Sequence, residues 1–202
     1  MIEAGLIALT RLLTGVVVRS DGFAFEPPAQ RIYYANHTSH MDTLLLWSLV
    51  PKEQRRNTHP AAAKDYWWSS PLRQYFAERV FRAVPVVRQR ENSEDDPLGP
   101  LEATLAAGGS LIFFPEGTRG TGGGRIQPFK GGLYHLASKF PHVALVPVYI
   151  DNLNRVLPKG EFLPVPIICT VCIGAGFKIG PAEAKADFIA RARSLLEALV
   201  PT

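Results

Sequence analysis

The chain has 202 residues, 47% of them apolar and 20% charged, which excludes a disordered protein and leaves room for one globular core rather than two. A formal net charge of +4 favours anionic partners without choosing among phosphorylated metabolites, acidic lipid and nucleic acid. No apolar run reaches the roughly 18 residues a spanning helix needs.

The N-terminal stretch MIEAGLIALTRLLTGVVV reads as an amphipathic helix over about residues 2–15. Leu6, Leu9, Leu12, Leu13, Val16 and Val17 share one face, with Glu3, Thr10, Arg11 and Thr14 on the other and Ile7 out of place. Such a helix either caps a core or lies in a membrane interface. Ile32 to Ala35 has the β-branched and aromatic content of a buried strand, and Leu44, Leu45, Leu46, Leu49 and Val50 recur at helical spacing beyond it. HPAAAKDYWW gives a short strand into a turn, whose Trp67 and Trp68, with Arg73, Arg79 and Arg82 nearby, suit a lipid boundary or an α/β core equally. SPLRQYFAERVF is a helix begun by Ser70 with Pro71 at its first position.

VPVVR is a strand ending on Arg88, followed by an acidic loop, a helix and a glycine stop. SLIFF is a buried strand running into the glycine-rich PEGTRGTGGGR, whose later part reads as a mobile loop closing over a substrate. FKGGLYHLASKF is helical, VALVPVYI and IICTVCIG are strands, and residues 185 to 200 form a closing amphipathic helix. Cys169 and Cys172, three apart on a strand, point to opposite faces and have no second pair to complete a zinc site. Core thiols and a reducing, cytoplasmic compartment are the expectation. Alternating strands and helices predict an α/β fold, a single domain over residues 1–202, with a mainly parallel central sheet and helices on both faces.

The polar turn NHTSHMD stands where the first buried strand ends, which is where open α/β sheets hold their ligands. His37 and Asp42 are spaced so that a carboxylate from the first turn of the next helix meets a histidine at the strand end, holding one ring nitrogen and leaving the other as a general base. Ser39-x-x-Asp42 is also a capping-box pattern, in which Asp42 only caps a helix. A Ser39 nucleophile lacks the G-x-S-x-G elbow, and His37, His40 and Asp42 match no metal-ligand spacing, so Ser39 and His40 read as turn and cap residues. In FFPEGTRG, Glu116, Gly117, Thr118 and Arg119 form a turn presenting backbone N–H groups and a guanidinium suited to phosphate or carboxylate. The glycines after it lack the lysine of a P-loop and the spacing of a dinucleotide fingerprint.

Taken together, NHTSHMD, VPVVR, FPEGTR and VPVYI resemble, in order, the four sequence blocks of the glycerolipid acyltransferases, the family that includes 1-acylglycerol-3-phosphate acyltransferases. FKGGLYHLA is similar to the segment between the last two. The resemblance implies that His37, oriented by Asp42, takes the proton from a lysophospholipid hydroxyl as it attacks an acyl thioester, with no covalent enzyme intermediate. It also implies that Arg88, Glu116 and Arg119 serve the acceptor, with the two arginines cradling a phosphate monoester, while Gly117 and Thr118 bring backbone close to the substrate and nearby N–H groups meet the oxyanion. The expected reaction converts 1-acylglycerol 3-phosphate to phosphatidic acid, with acyl-CoA or acyl-carrier-protein as donor, no bound cofactor and no metal. Other readings are a different lyso-lipid acceptor, such as a lyso-ornithine lipid, or a non-catalytic lipid-binding module. A nucleic-acid partner is not expected, because the arginines do not alternate with stacking aromatics. Many relatives carry transmembrane segments where this chain has one short helix. The expected location is therefore peripheral, on the cytoplasmic face of the cell membrane.

Overall fold

The computed structural model describes residues 2–20, 30–39, 41–87, 96–120, 126–153 and 168–201. Its strands are β1 Val17–Ser20, β2 Arg31–Ala35, β3 Thr58–Ala63, β4 Val84–Val86, β5 Ser110–Phe113, β6 Ala144–Asp151 and β7 Thr170–Ile173. They form one sheet in the order β1-β7-β6-β2-β5-β3-β4, parallel throughout except between β6 and β7. The helices are α1 Ile2–Thr14, α2 Asp42–Leu49, α3 Lys52–Arg55, α4 Lys64–Trp67, α5 Pro71–Tyr75, α6 Gly99–Ala106, α7 Gly132–Lys139 and α8 Lys185–Glu197, with a π-helical turn Phe76–Val80 continuing α5. Ser70 caps α5 by accepting the Arg73 N–H, and Pro71 sits at its first turn, as the sequence predicts.

Side chains alternate along the central strands, so each strand feeds two cores. Ile32 and Tyr34 of β2 join Leu111 and Phe113 of β5 in one core, closed by Leu101 and Leu105 of α6, Leu133 and Leu136 of α7, and Phe188 and Leu196 of α8. Tyr33, Ala35 and Ile112 face the other core, closed by Leu45 and Trp47 of α2, Val80 of the π turn, and Leu6 and Ile7 of α1. Each fully buried leucine or phenylalanine contributes about 1.5–3 kcal/mol relative to exposure, and both faces of the sheet are lined this way. Cys169 and Cys172 lie in opposite cores.

This arrangement fixes where a ligand can enter. The helix after β2 lies on one face of the sheet and the helix after β5 on the other, although β2 and β5 are hydrogen-bonded neighbours with Tyr34 opposite Phe113. Their following loops therefore diverge and leave a crevice at the carboxyl edge, the position open α/β sheets use for ligands.

The N-terminal segment differs from its sequence reading. Its helix ends at Thr14, Gly15 takes a φ of +49°, and Val17 belongs to β1 rather than to the helical stripe. Thr10 and Thr14, expected on the solvent side, are buried, and their hydroxyls donate to Leu6 O and Thr10 O at 2.8 Å each. Threonine hydroxyls bonded to their own helix bring no unsatisfied polar group inward, so Thr10 and Thr14 can face the protein while Glu3 and Arg11 stay exposed. Leu9 and Leu12 consequently face outward, 51% and 77% exposed. Trp67 and Trp68 are half-buried: Trp67 meets Phe81 edge-on at 5.7 Å, and the Trp68 indole N–H donates to Glu78 at 2.9 Å. The exposed apolar side chains in that region are Leu72 and Tyr75. Among the described residues, no helix is long and apolar enough to cross a membrane.

Candidate active site

At the end of β2 the Asn36 carboxamide exchanges two hydrogen bonds with the backbone of Ile150, at 2.9 and 2.8 Å, continuing the β2–β6 pairing for one more residue. The chain then turns sharply, and His37 is the first residue free of the sheet. Its Nδ1–H donates to Asp42 Oδ2 at 2.8 Å. That bond puts the ring proton on Nδ1 and leaves Nε2 with its lone pair, the tautomer a general base requires.

The same Asp42 oxygen accepts the Thr38 and Ser39 N–H groups at 2.7 and 2.8 Å, and the residue is fully buried. Helix α2 begins at Asp42 itself, with Met41 as its N-cap and no side-chain cap bond, so Asp42 holds the turn before the helix and Ser39-x-x-Asp42 is not a capping box here. Three donors on one oxygen fix the carboxyl group, and through it the imidazole, in one orientation. Ser39 is buried, and its Oγ accepts from Met41 N rather than meeting His37.

His37 is held from other sides as well. Its ring stacks on Phe114, with centroids 4.3 Å apart and an interplanar angle of 22°. Its N–H donates to Glu116 Oε1 at 3.1 Å, and its carbonyl accepts the Gly120 N–H at 2.9 Å. The turn after β5 thus grips the turn after β2 through residues that are 79 positions apart in the chain.

Glu116 is itself buried, 3% exposed, and burial pushes its carboxyl up to about 7 against the His37 and Gln127 N–H bonds that favour the charge, with the Asp42 charge raising it further. It sits under the histidine turn and does not line the cavity described below. Gly117 has φ +71°, a conformation costing other L-residues about 1–2 kcal/mol. Thr118 is exposed and Arg119 half-buried; neither lines that cavity, though Arg119 adjoins the Gly120 link to His37. Arg88, His40 and the glycine-rich segment at 121–125 lie outside the described residues.

A cavity of about 330 Å³ opens beside His37, in the size range of small-ligand sites. Its wall is mostly apolar, from Ala61 and Ala63 of β3, Val86 of β4, Leu98, Phe113 and Phe114, and its polar side chains are His37 and Lys130. Asn36, Phe114 and Lys130 are the participants the sequence reading did not single out. An asparagine ending a buried strand just before a histidine was the available signal for the first; an aromatic and a lysine in ordinary contexts gave none. Among the described residues, no three His, Cys, Asp or Glu side chains gather as a metal site.

A mainly parallel α/β sheet thus carries a His-Asp pair beside an apolar cavity at its carboxyl edge. The chain belongs to the Acyltransferase family, whose sequence model matches residues 24–151, more than half its length. It is similar to the 1-acyl-sn-glycerol-3-phosphate acyltransferase of Limnanthes alba, 32% identical over 144 residues, covering 69% of this chain and 47% of that one. The protein of the same description from Cocos nucifera is 33% identical over 144 residues, 69% and 43% of the two chains. The chloroplastic LPAT1 of Arabidopsis thaliana is 31% identical over 130 residues, 64% and 34%. The chain therefore spans under half the length of the curated relatives it matches. In fold it is similar to the 1-acyl-sn-glycerophosphate (LPA) acyltransferase PlsC of Thermotoga maritima, with a TM-score of 0.76, 20% identity, and coverage of 98% of this chain and 78% of that one.

Proposed function

We propose that the protein is an O-acyltransferase that moves a fatty acyl group from a thioester, acyl-CoA or acyl-carrier-protein, to the free hydroxyl of 1-acylglycerol 3-phosphate, giving phosphatidic acid. The observation that carries this reading is the His37 Nδ1 bond to Asp42, 2.8 Å long, on a histidine that opens onto an apolar cavity. The names of the relatives support the choice of acceptor.

His37 Nε2 takes the proton as the acceptor oxygen attacks the thioester carbonyl. The tetrahedral intermediate then breaks its C–S bond and expels the thiolate, which takes from His37 the proton that came from the acceptor hydroxyl, so the enzyme ends as it began. The imidazolium formed between the two steps is stabilised by the Asp42 carboxylate. The apolar wall of the cavity suits an acyl chain, and the family resemblance puts Arg119 and Arg88 on the acceptor side. The exposed Leu9 and Leu12 of α1 suit the interfacial region of a bilayer, which would make the protein peripheral on the inner face of the membrane and give it access to its lipids.

The test is to incubate the protein with a panel of lysophospholipids and acyl thioesters and identify the lipids formed by mass spectrometry. Phosphatidic acid from lysophosphatidic acid is the expected product. A diacyl product from another lyso-lipid alone would reassign the acceptor, and no acyl ester from any acceptor would end the enzymatic reading.

A further inference from the structure

Lys130 lines the cavity that His37 opens onto, and it is the described side chain there that carries a permanent charge. Its backbone N–H donates to Pro115 O at 2.8 Å, which ties the start of the α7 segment to the turn after β5. From that anchor the side chain lies along Gly117. A Cβ on Gly117 would stand 3.0 Å from Lys130 Nζ, 3.1 Å from its Cδ and 3.2 Å from its Cε. The positive φ of Gly117 is what calls for glycine, and the absence of a side chain there leaves room for the lysine to lie along it.

Among the described residues the Lys130 ammonium pairs with no carboxylate; the ion pairs there are those of His37, His135, Lys139, Arg191 and Arg193. A cation at the mouth of an apolar cavity, beside a general base and without a partner carboxylate, is a half-built anion site. In lysophosphatidic acid the hydroxyl that meets His37 is two carbons from the phosphate ester, so an anion grip is required close to the histidine.

We propose that Lys130 supplies that grip: its ammonium, laid against Gly117, binds the phosphate of the acceptor and sets the preference for a phosphorylated over a neutral lipid. This rests on the acyl-transfer reading of the cavity. It assigns the role to Lys130, exposed at the mouth of the cavity it lines, whereas Arg119 does not line the cavity.

The test is a binding measurement without an acyl donor. A short-chain lysophosphatidic acid, used below its micelle concentration, the monoacylglycerol of the same chain, and coenzyme A are titrated into the wild type, Lys130→Met and Lys130→Arg, with melting temperatures recorded for each. The wild type is expected to prefer the phosphorylated lipid, and Lys130→Met to lose about tenfold to a hundredfold of that affinity, the scale of one charge-assisted hydrogen bond. Binding of the neutral lipid should be unchanged, and Lys130→Arg should restore most of the loss. A wild type with no preference, a folded Lys130→Met that keeps it, or a loss on coenzyme A in place of the lipid would each overturn the proposal. No turnover enters these measurements, so a protein that passes them yet transfers no acyl group would refute the acyl-transfer reading alone.

Discussion

Asp42 holds the turn after β2 as well as the His37 ring, because one of its oxygens takes the His37 Nδ1–H and two backbone N–H groups. In Asp42→Asn the amide oxygen can still accept from the backbone, so the fold is expected to survive, but no negative charge remains to stabilise the imidazolium. A positioned base contributes about 100- to 10,000-fold, and losing its orienting partner should remove a large part of that from kcat. Steady-state kinetics on a variant that melts like the wild type would show it; wild-type turnover would reduce Asp42 to holding the Thr38 and Ser39 N–H groups, which an asparagine oxygen can still do. Glu116 predicts a different signature. Its folded carboxyl is raised to about 7 from an ordinary 4.5, so the native state holds the proton more tightly than the unfolded chain between those values. Stability from this group is full below about pH 4.5 and declines as pH rises through 7, where the native state must carry a buried charge. Denaturant unfolding of Glu116→Gln from pH 5 to 8 should show a shallower decline than the wild type; an identical slope would mean the group ionises without cost.

At the scale of elements, α1 is where the proposed contact with lipid is tested. Its outward leucines do not stabilise the fold, since they are solvent-exposed, whereas Thr10 and Thr14 are buried against the second core. Leu9→Asp with Leu12→Asp should therefore lower sedimentation with anionic liposomes while leaving the melting temperature within a degree or two. A drop in melting temperature would mean the leucines pack inward, and unchanged liposome binding would place the membrane contact elsewhere. The turn after β5 gives the converse case. Gly117→Ala puts a methyl against Lys130 on a backbone with φ +71°, at a cost of about 1–2 kcal/mol from the backbone alone, readable by chemical denaturation. Sequence pattern identified both elements but not their settings. Three valines prolong the apolar period of α1 past its end, hiding β1, and periodicity names an apolar stripe without saying which side faces the protein.

For the molecule as a whole, the alternation of strands and helices carried the fold, because buried parallel strands read as short continuous apolar runs in any context. His37 and Asp42 were legible for a similar reason, lying five residues apart with the chain between them short enough to fix their meeting. What joins distant segments was not legible: Glu116 beneath the His37 turn and Lys130 against Gly117 depend on β2 and β5 being neighbours, which the order of elements does not state. Where the two turns meet, the proposed mechanism gives His37 the task of moving the proton. The most direct measurement is the rate of phosphatidic acid formation from lysophosphatidic acid and an acyl thioester by the wild type and by His37→Ala, with both proteins folded. The account predicts measurable synthesis by the wild type and a loss of at least about 100-fold in His37→Ala. Comparable rates from the two proteins would contradict it.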